Sequence, residues 1–254
     1  MEYNVNQKIV DYIIAHKADW GKVMNAVETQ EEVAPHNYEG KFITILDSKY
    51  PDSYRNYYRP SFALFYEGDI ALLKADNRVC VRSVKDTHKY LSKAEMDAIV
   101  DALMNADADA YVVNLNDEFL PLLLEKGEKL IVVSDKSYDL VAENADLRRV
   151  LDEGGLFITE TPNGVLVDEQ DAKMRATRLM ANIETEVVVA SCKKNSSVNV
   201  GVCFSVNFGH RVIVAPLSMA SKGLTNNQLL GDGAEMLGHY DFAYYNAYER
   251  AYNK

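Results

Sequence analysis

The segments Glu186-Val187-Val188-Val189-Ala190 and Arg211-Val212-Ile213-Val214-Ala215-Pro216 decide the fold of this chain. Their nearly continuous β-branched residues predict parallel strands, because such runs need cover on both faces of a sheet. Each strand is followed by a polar loop, Ser191-Cys192-Lys193-Lys194-Asn195-Ser196-Ser197 after the first and the segment around Asn226 and Asn227 after the second. Ligands bind at the carboxyl ends of the strands in open α/β sheets, so these loops are predicted ligand positions.

The same alternation of strand and helix continues outward through the chain. It predicts about six parallel strands joined by crossover helices, which is a doubly wound α/β fold. The expected strands begin with Arg78-Val79-Cys80-Val81 and continue through residues 111–113, 129–133, 156–158, 187–189 and 212–214. The expected crossover helices are residues 93–104, 119–126, 139–145, 172–182 and 198–207.

Smaller units are predicted at both ends of the chain. Residues 1–40 are expected to form a helical appendage, because apolar residues recur at helical spacing from Asn6 to about Val33. The main domain is expected at residues 41–240. Residues 241–254 are predicted to form a Tyr-rich helix, which suits a self-association face as well as a peripheral core helix.

Composition indicates a soluble globular chain. The net charge of −11 argues against indiscriminate nucleic-acid binding, which depends on an excess of Lys and Arg, but clustered cations leave room for a local basic groove. Neither a membrane-spanning run nor a secretory signal is present in the sequence, so a cytoplasmic location is expected. The three cysteines, Cys80, Cys192 and Cys203, are interpreted as buried thiols.

Sequence motifs of the common enzyme classes are missing. The five histidines show neither H-x-x-x-H nor H-E-x-x-H spacing, and there is no G-x-S-x-G or G-x-x-x-x-G-K-[ST]. Asp232-Gly233 and Asp168-Glu169 are better interpreted as turns and caps than as a catalytic pair. We therefore expect no catalysis, no metal and no cofactor.

Several motifs occur in a fixed order and keep the spacing of one protein family. The first part comprises Leu46-Asp47, Tyr50-Pro51, Arg59-Pro60, Leu64-Phe65-Tyr66, Gly68 and Leu72-Leu73. The later part comprises Gly155 to Gly164, Arg175 to Pro216 without a gap, and Asn227 to Ala234. Together these motifs resemble the DNA-processing protein A (DprA, or Smf) family of single-stranded DNA binding proteins.

The resemblance implies a mostly parallel Rossmann-like domain that binds single-stranded DNA. It also implies the family role of loading a recombinase on that DNA, and dimerisation through the distal face of the sheet, so a homodimer is expected. The predicted DNA- or phosphate-binding residues are Arg82, Ser83, Lys85, Asn114, Arg175, Arg178, Lys193, Lys194, Ser196, Ser197 and Asn227.

Two interpretations of the cations among these residues stay open. In the first, which the resemblance implies, the Arg and Lys side chains converge into a cationic groove that follows a single-stranded backbone. In the second, Arg175 and Arg178 are solvated helix charges that pair with Asp171 or Glu184 and contribute little.

The chain departs from the family pattern in the first half of the predicted pocket. The family has a Gly-Ser-Arg turn where this chain has Arg82-Ser83-Val84, and the loop Asn114 to Glu118 lacks the family's glycines and histidine. Glycine lets backbone N–H groups approach a phosphate closely, so the sequence predicts a degenerate phosphate-binding pocket. Two alternatives to DNA binding therefore remain. One is a binder of a nucleotide or nucleotide-derived signal, and the other is a ligand-free protein-interaction scaffold that acts through the Tyr-rich tail.

Overall fold

In the computed structural model, which describes residues 5–106, 108–217 and 223–238, nine strands form one sheet. The strands are β1 Phe42–Thr44, β2 Ala63–Gly68, β3 Arg78–Arg82, β4 Ala110–Asn114, β5 Leu130–Val133, β6 Leu156–Thr159, β7 Glu186–Val189, β8 Arg211–Val214 and β9 Glu235–Met236. Their order is β1-β2-β6-β5-β4-β3-β7-β8-β9. All neighbours from β6 to β9 are parallel, whereas β1 and β2 extend the β6 edge in antiparallel fashion. The prediction of a mostly parallel α/β sheet is confirmed.

Helices cover both faces of this sheet. They are α1 Val5–Ala15, α2 Trp20–Thr29, α3 Asp52–Arg55, α4 Lys93–Met104, α5 Phe119–Glu125, α6 Tyr138–Val141, α7 Ala145–Asp152, α8 Glu169–Ile183, α9 Ser197–Asn207 and α10 Asn226–Gly231. Four of the five predicted crossover helices are confirmed, as α4, α5, α8 and α9. None of the described helices is long and apolar enough to cross a membrane.

The single helix predicted at residues 139–145 is wrong, because two helices occupy this region. The side chain of Asn144 accepts a hydrogen bond from the backbone N–H of Leu147 at 2.9 Å. An asparagine in this role begins a helix, so α7 starts where the predicted helix was expected to end. The new helix buries Leu147 and Val150 against the sheet.

The core has one layer on each face of the sheet. In β3, Val79 and Val81 pack with α4, α5 and α7, whereas Cys80 packs on the opposite face with α8 and α9. This two-sided burial is what the β-branched strand pattern predicts. Cys80 and Cys192 are buried as expected, but the prediction for Cys203 is wrong, because it is exposed on α9.

The N-terminal residues form two helices, as the periodic apolar pattern predicts. Their apolar faces, which include Val10, Ile13 and Val23, pack with Ala63 and Phe65 of β2. The helices therefore cover the antiparallel extension of the sheet. The domain boundaries at residues 40 and 240 stay predictions, and the predicted tail helix at 241–254 lies outside the described residues.

The strand order reverses direction at β3. Strands β4, β5 and β6 follow on one side of it, and β7, β8 and β9 follow on the other. A reversal of this kind separates the loops that leave neighbouring strands and opens a crevice at their carboxyl ends, where α/β proteins bind ligands. The residues at this point are Arg82 to Val84 after β3 and Ala190 to Cys192 after β7.

Candidate functional site

A cleft with a volume of about 440 Å³ opens at this switch point. Its wall is formed by the loops after β3, β4 and β5, by one side of α8 and by the start of α9. The lining residues are Arg82, Ser83, Val84, Lys85, Asn114, Asn116, Asp117, Glu118, Asp135, Lys136, Glu169, Lys173, Ala176, Thr177, Met180, Ser197 and Val198. The cleft therefore brings together Arg82, Ser83, Lys85, Asn114 and Ser197 of the predicted site residues.

Arg82 lies in the wall of the cleft, but its charge is directed into the protein. Its side chain is 4% exposed, and its Nη2 atom lies 3.0 Å from a carboxylate oxygen of the fully buried Glu184. Burial by itself raises the pKa of Glu184, but the Arg82 charge, the nearby His210 ring and the hydrogen bond from Ser205 outweigh it and hold the pKa below its usual value. Arg82 therefore balances an internal carboxylate and adds little positive potential to the cleft.

A glycine on α9 makes room for this buried arginine. A Cβ atom added at Gly201 would lie 2.4 Å from Nη1 of Arg82 and 2.8 Å from its Cζ. Real Cβ atoms do not approach other heavy atoms this closely, and the guanidinium is held by Glu184. The helix can pass over Arg82 only because residue 201 has no side chain.

The turn after β3 uses its polar groups inside the protein. The backbone N–H of Ser83 donates to Oδ2 of Asp117 at 3.0 Å, and its hydroxyl donates to Oδ1 at 2.8 Å. The backbone N–H of Val84 donates to the Ser191 hydroxyl at 3.0 Å. These are the donors that a phosphate at this turn would use, and both backbone donors already have partners.

Asp117 is held at the wall of the cleft by this turn. Burial raises its pKa to about 6, although hydrogen bonds from Phe119 and Ser83 oppose the shift and the nearby Glu118 adds to it. Sequence reasoning included Asp117 only as part of a glycine-free loop. Its contact with Ser83, 34 positions earlier in the chain, arises from the parallel pairing of β3 with β4, which no local pattern predicts.

We expect the stability of the protein to depend on the ionisation of Asp117. Its folded-state pKa of about 6 lies above the ordinary aspartate value of 3.8, so the folded protein binds this proton more tightly than the unfolded chain does. The resulting stabilisation is complete below about pH 4 and is lost as the pH rises through about 6. As the pH rises from about 4 to 7, the free energy of unfolding of the wild type should fall by about 3 kcal/mol relative to that of Asp117→Asn.

Urea denaturation of both proteins across this pH range measures that difference. If the two free energies of unfolding stayed parallel from acid to neutral pH, the folded-state pKa of Asp117 would have to be ordinary.

The remaining charges in the cleft are nearly balanced. Lys173 pairs with Glu169 on α8, and Glu118 contacts the ring of His88 at 2.9 Å. Within the described part of the chain, Lys85 and Lys136 form no ion pair, and both are exposed. Sequence reasoning missed Lys136, although it follows the end of β5 by three positions, as Lys85 follows the end of β3, and the strand-end rule could have found it.

Arg175 and Arg178 do not line the cleft. Arg175 donates to the carbonyl of Ala18 at 2.6 Å and to Asp171 at 2.6 Å. Arg178 donates to both oxygens of Glu160, at 3.0 and 2.9 Å. The predicted pairing of Arg175 with Asp171 is confirmed, but the interpretation as solvated charges is wrong, because both arginines are buried.

Apart from Ser197, the predicted residues after β7 and β8 lie outside the cleft. The ammonium group of Lys193 stacks on the ring of Tyr90 at 3.9 Å, and the Ser196 hydroxyl caps α9 through the N–H of Asn199 at 3.3 Å. Asn227 pairs with the backbone of Leu217 at 3.2 and 3.1 Å, while Lys194 is exposed. A DNA-binding role for these residues stays a prediction.

Asn226 ties the two decisive loops together. Its side chain accepts from the N–H of Cys192 at 2.8 Å and donates to the carbonyls of Ala190 at 3.1 Å and Ala215 at 3.0 Å. It is fully buried, so the carboxyl ends of β7 and β8 are held at a fixed separation. The asparagine with the deepest burial in this segment therefore has a structural role.

A doubly wound parallel sheet with a cleft at its switch point defines the Rossmann-like class of proteins. No protein-family profile matches the sequence, and no curated protein matches it. Among solved structures, DNA processing protein A (DprA) from Streptococcus pneumoniae matches with a TM-score of 0.69 and 21% identity, over 91% of this chain and 89% of that chain.

A second solved structure, DprA from Helicobacter pylori, matches with a TM-score of 0.58 and 15% identity, over 84% of this chain and 98% of that chain. That structure concerns the single-stranded DNA binding mode of the H. pylori protein. The chain therefore has the DprA fold, as the sequence resemblance predicts.

Proposed function

We propose that this chain is a non-enzymatic single-stranded DNA binding protein of the DprA type, which assists recombination or DNA processing. The observation that carries the proposal is the cleft at the switch point, with exposed lysines after β3 and β5 at its wall. The likeness to two DprA structures extends over most of each chain, and it includes the H. pylori protein, which binds single-stranded DNA.

In this proposal the pocket is degenerate, and side chains replace the backbone in holding phosphate. The N–H groups of Ser83 and Val84 have internal partners, so they do not contact the ligand. Lys85 and Lys136 are the cleft cations that have no carboxylate partner in the described structure, and each is long enough to reach a phosphate at the opening. Two such contacts predict weak binding with modest salt dependence, a slope of about −1.4 in log affinity against log salt.

Replacing both Lys85 and Lys136 with alanine should weaken binding to an oligo-dT strand by about tenfold or more at low salt, because both phosphate contacts are lost. The salt slope should approach zero. Fluorescence anisotropy titrations at several salt concentrations measure both quantities.

Lys126→Ala is the matched control for this experiment. Lys126 pairs with Asp101 at 2.8 Å and precedes β5, so it lies toward the amino ends of the strands, away from the cleft. This variant should bind as the wild type does. Wild-type protein that does not bind oligo-dT, or equal losses in the control and the double variant, would sink the proposal.

The second candidate function is binding of a nucleotide or a nucleotide-derived signal. The volume of the cleft favours it, because 440 Å³ falls in the range of small-molecule sites, about 300–1,000 Å³. The internal partners of the β3 turn argue against it, since the N–H groups of Ser83 and Val84 already have acceptors inside the protein. A thermal shift with mononucleotides but not with oligonucleotides would favour this candidate over DNA.

The recombinase partner, the homodimer and the cytoplasmic location belong to the same DprA-type proposal. Their support is the sequence resemblance together with the shared fold. Size-exclusion chromatography with light scattering tests the homodimer. If removal of residues 241–254 leaves the oligomeric state unchanged, the alternative of a scaffold that acts through the Tyr-rich tail loses its support.

A further inference from the structure

The Asp117 carboxylate occupies the position of an anion in the cleft. Both of its oxygens accept hydrogen bonds from one residue of the β3 turn, at 3.0 Å from the Ser83 N–H and 2.8 Å from the Ser83 hydroxyl. A third donor, the N–H of Phe119, lies 3.0 Å from Oδ1. Three donors directed at one carboxylate form the kind of arrangement that binds a phosphate oxygen.

The position of this carboxylate matters as much as its geometry. Ser83 directly follows the central strand at the switch point, where α/β proteins bind the charged part of a ligand. Asp117 comes from the neighbouring loop and reaches across to it. The cleft continues beside this contact to Lys85 and Lys136, and the Asp117 carboxylate already takes both Ser83 donors.

We propose that Asp117 is an internal substitute for a ligand phosphate and is the specificity-determining residue of the cleft. It fills the oxyanion position at Ser83, repels any phosphate that approaches that turn and leaves ligand phosphates to Lys85 and Lys136. The part of this inference that concerns DNA rests on the proposed function. The part that concerns the Ser83 oxyanion site does not.

Removing the carboxylate should create a phosphate site. In Asp117→Ala, the N–H and hydroxyl of Ser83 lose their partners in a confined place, and a phosphate that enters satisfies both. Charge-assisted hydrogen bonds are among the stronger polar contacts in proteins, and the repulsion by Asp117 is removed as well. We expect the affinity for inorganic phosphate to rise by about tenfold or more over the wild type.

Glu118→Gln provides the matched control. Glu118 lines the same cleft and carries the same charge, but its carboxylate contacts His88 at 2.9 Å rather than Ser83. Its removal changes the charge of the cleft equally and leaves the Ser83–Asp117 contact in place. Phosphate affinity in this variant should change far less than in Asp117→Ala.

Isothermal titration with inorganic phosphate measures these affinities in the wild type and in both variants of the full chain. If Asp117→Ala does not fold, Asp117→Ser carries the test, because the shorter side chain removes the charge and does not fill the position of the carboxylate. Equal phosphate affinity in the Asp117 and Glu118 variants would overturn the inference, since charge alone would then explain the gain.

Titrations with a deoxynucleoside monophosphate and with oligo-dT identify the source of the phosphate. If Asp117→Ala binds inorganic phosphate, the mononucleotide and oligo-dT more tightly than the wild type does, the opened site accepts both terminal and internal phosphates. If the affinity rises only for inorganic phosphate and the mononucleotide, the site accepts only a terminal phosphate. Either result supports the inference. A wild-type protein that does not bind oligo-dT would refute the proposed function. The titrations with inorganic phosphate would then still test the Ser83 site.

Discussion

Replacing Glu184 with alanine should lower the free energy of unfolding by about 3–5 kcal/mol. The substitution removes the ion-pair partner of Arg82, whose side chain is 4% exposed, and leaves a charge buried without compensation. It also removes one of the two acceptors of the Ser205 hydroxyl, the other being the carbonyl of Gly201. Urea denaturation followed by circular dichroism measures the loss.

A pair on the protein surface provides the control. Arg211 and Glu235 are 55% and 52% exposed, and exposed ion pairs contribute about 0–1 kcal/mol. Glu235→Ala should therefore change the free energy of unfolding by less than about 1 kcal/mol. Similar losses for the two glutamates would show that Arg82 is solvated after all.

A double variant separates two contributions to the loss of stability, the unpaired charge of Arg82 and the missing ion pair itself. Replacing both members of a buried pair with apolar residues of similar volume is often neutral, because no unpaired charge remains. Arg82→Met combined with Glu184→Leu should therefore be more stable than Glu184→Ala alone. A double variant that is less stable than the single one would show that the pair itself, and not the uncompensated charge, supplies the stability.

The second large effect is expected at Gly68, where the end of β2 meets the start of β6. Its φ is +91°, and an added Cβ would lie 2.1 Å from the carbonyl oxygen of Gly155. The contacting atom belongs to the backbone and cannot rotate away. Gly68→Ala should cost about 3–5 kcal/mol, because strain at positive φ adds to overpacking.

Gly127→Ala isolates the contribution of the backbone angle. Gly127 has a φ of +74°, similar to that of Gly68, but nothing lies within 4 Å of an added Cβ. The loss there should be about 1–2 kcal/mol, from the left-handed conformation alone. Thermal and urea unfolding of both variants measure the losses. Equal losses at the two glycines would mean that the contact between Gly68 and Gly155 relaxes at little cost.

The sequence predicts the strands of this fold better than their order. Runs such as Val187 to Val189 need cover on both faces, so their type and parallel pairing follow from composition. The antiparallel addition of β1 and β2 to the edge of β6 depends on long-range pairing, of Phe65–Gly68 with Leu156–Thr159. The division of residues 138–152 into two helices depends on one side-chain cap, at Asn144.

The candidate site is also predicted only in part from the sequence. The resemblance identifies Ser83, Lys85 and Asn114, which line the cleft, whereas the strand-end rule applied to the loops after β7 and β8 brings only Ser197 into it. Neither distinguishes a charge that faces the cleft from one that faces the core. Arg82 pairs with a residue 102 positions away and Arg178 with one 18 positions away. Such partners come from helix packing, which no spacing in the sequence encodes.

The fit of Gly201 over Arg82 limits how this chain can change. Arg82→Gly alone would leave Glu184 buried without its cation and an empty space beneath α9. Gly201→Ala alone would force a methyl group onto a guanidinium that has nowhere to go. Placing a glycine at position 82 therefore requires coordinated changes at residues 82, 184 and 201, on three different segments. We expect each single substitution at these positions to give a less stable protein, so the surroundings of Arg82 constrain this position to arginine.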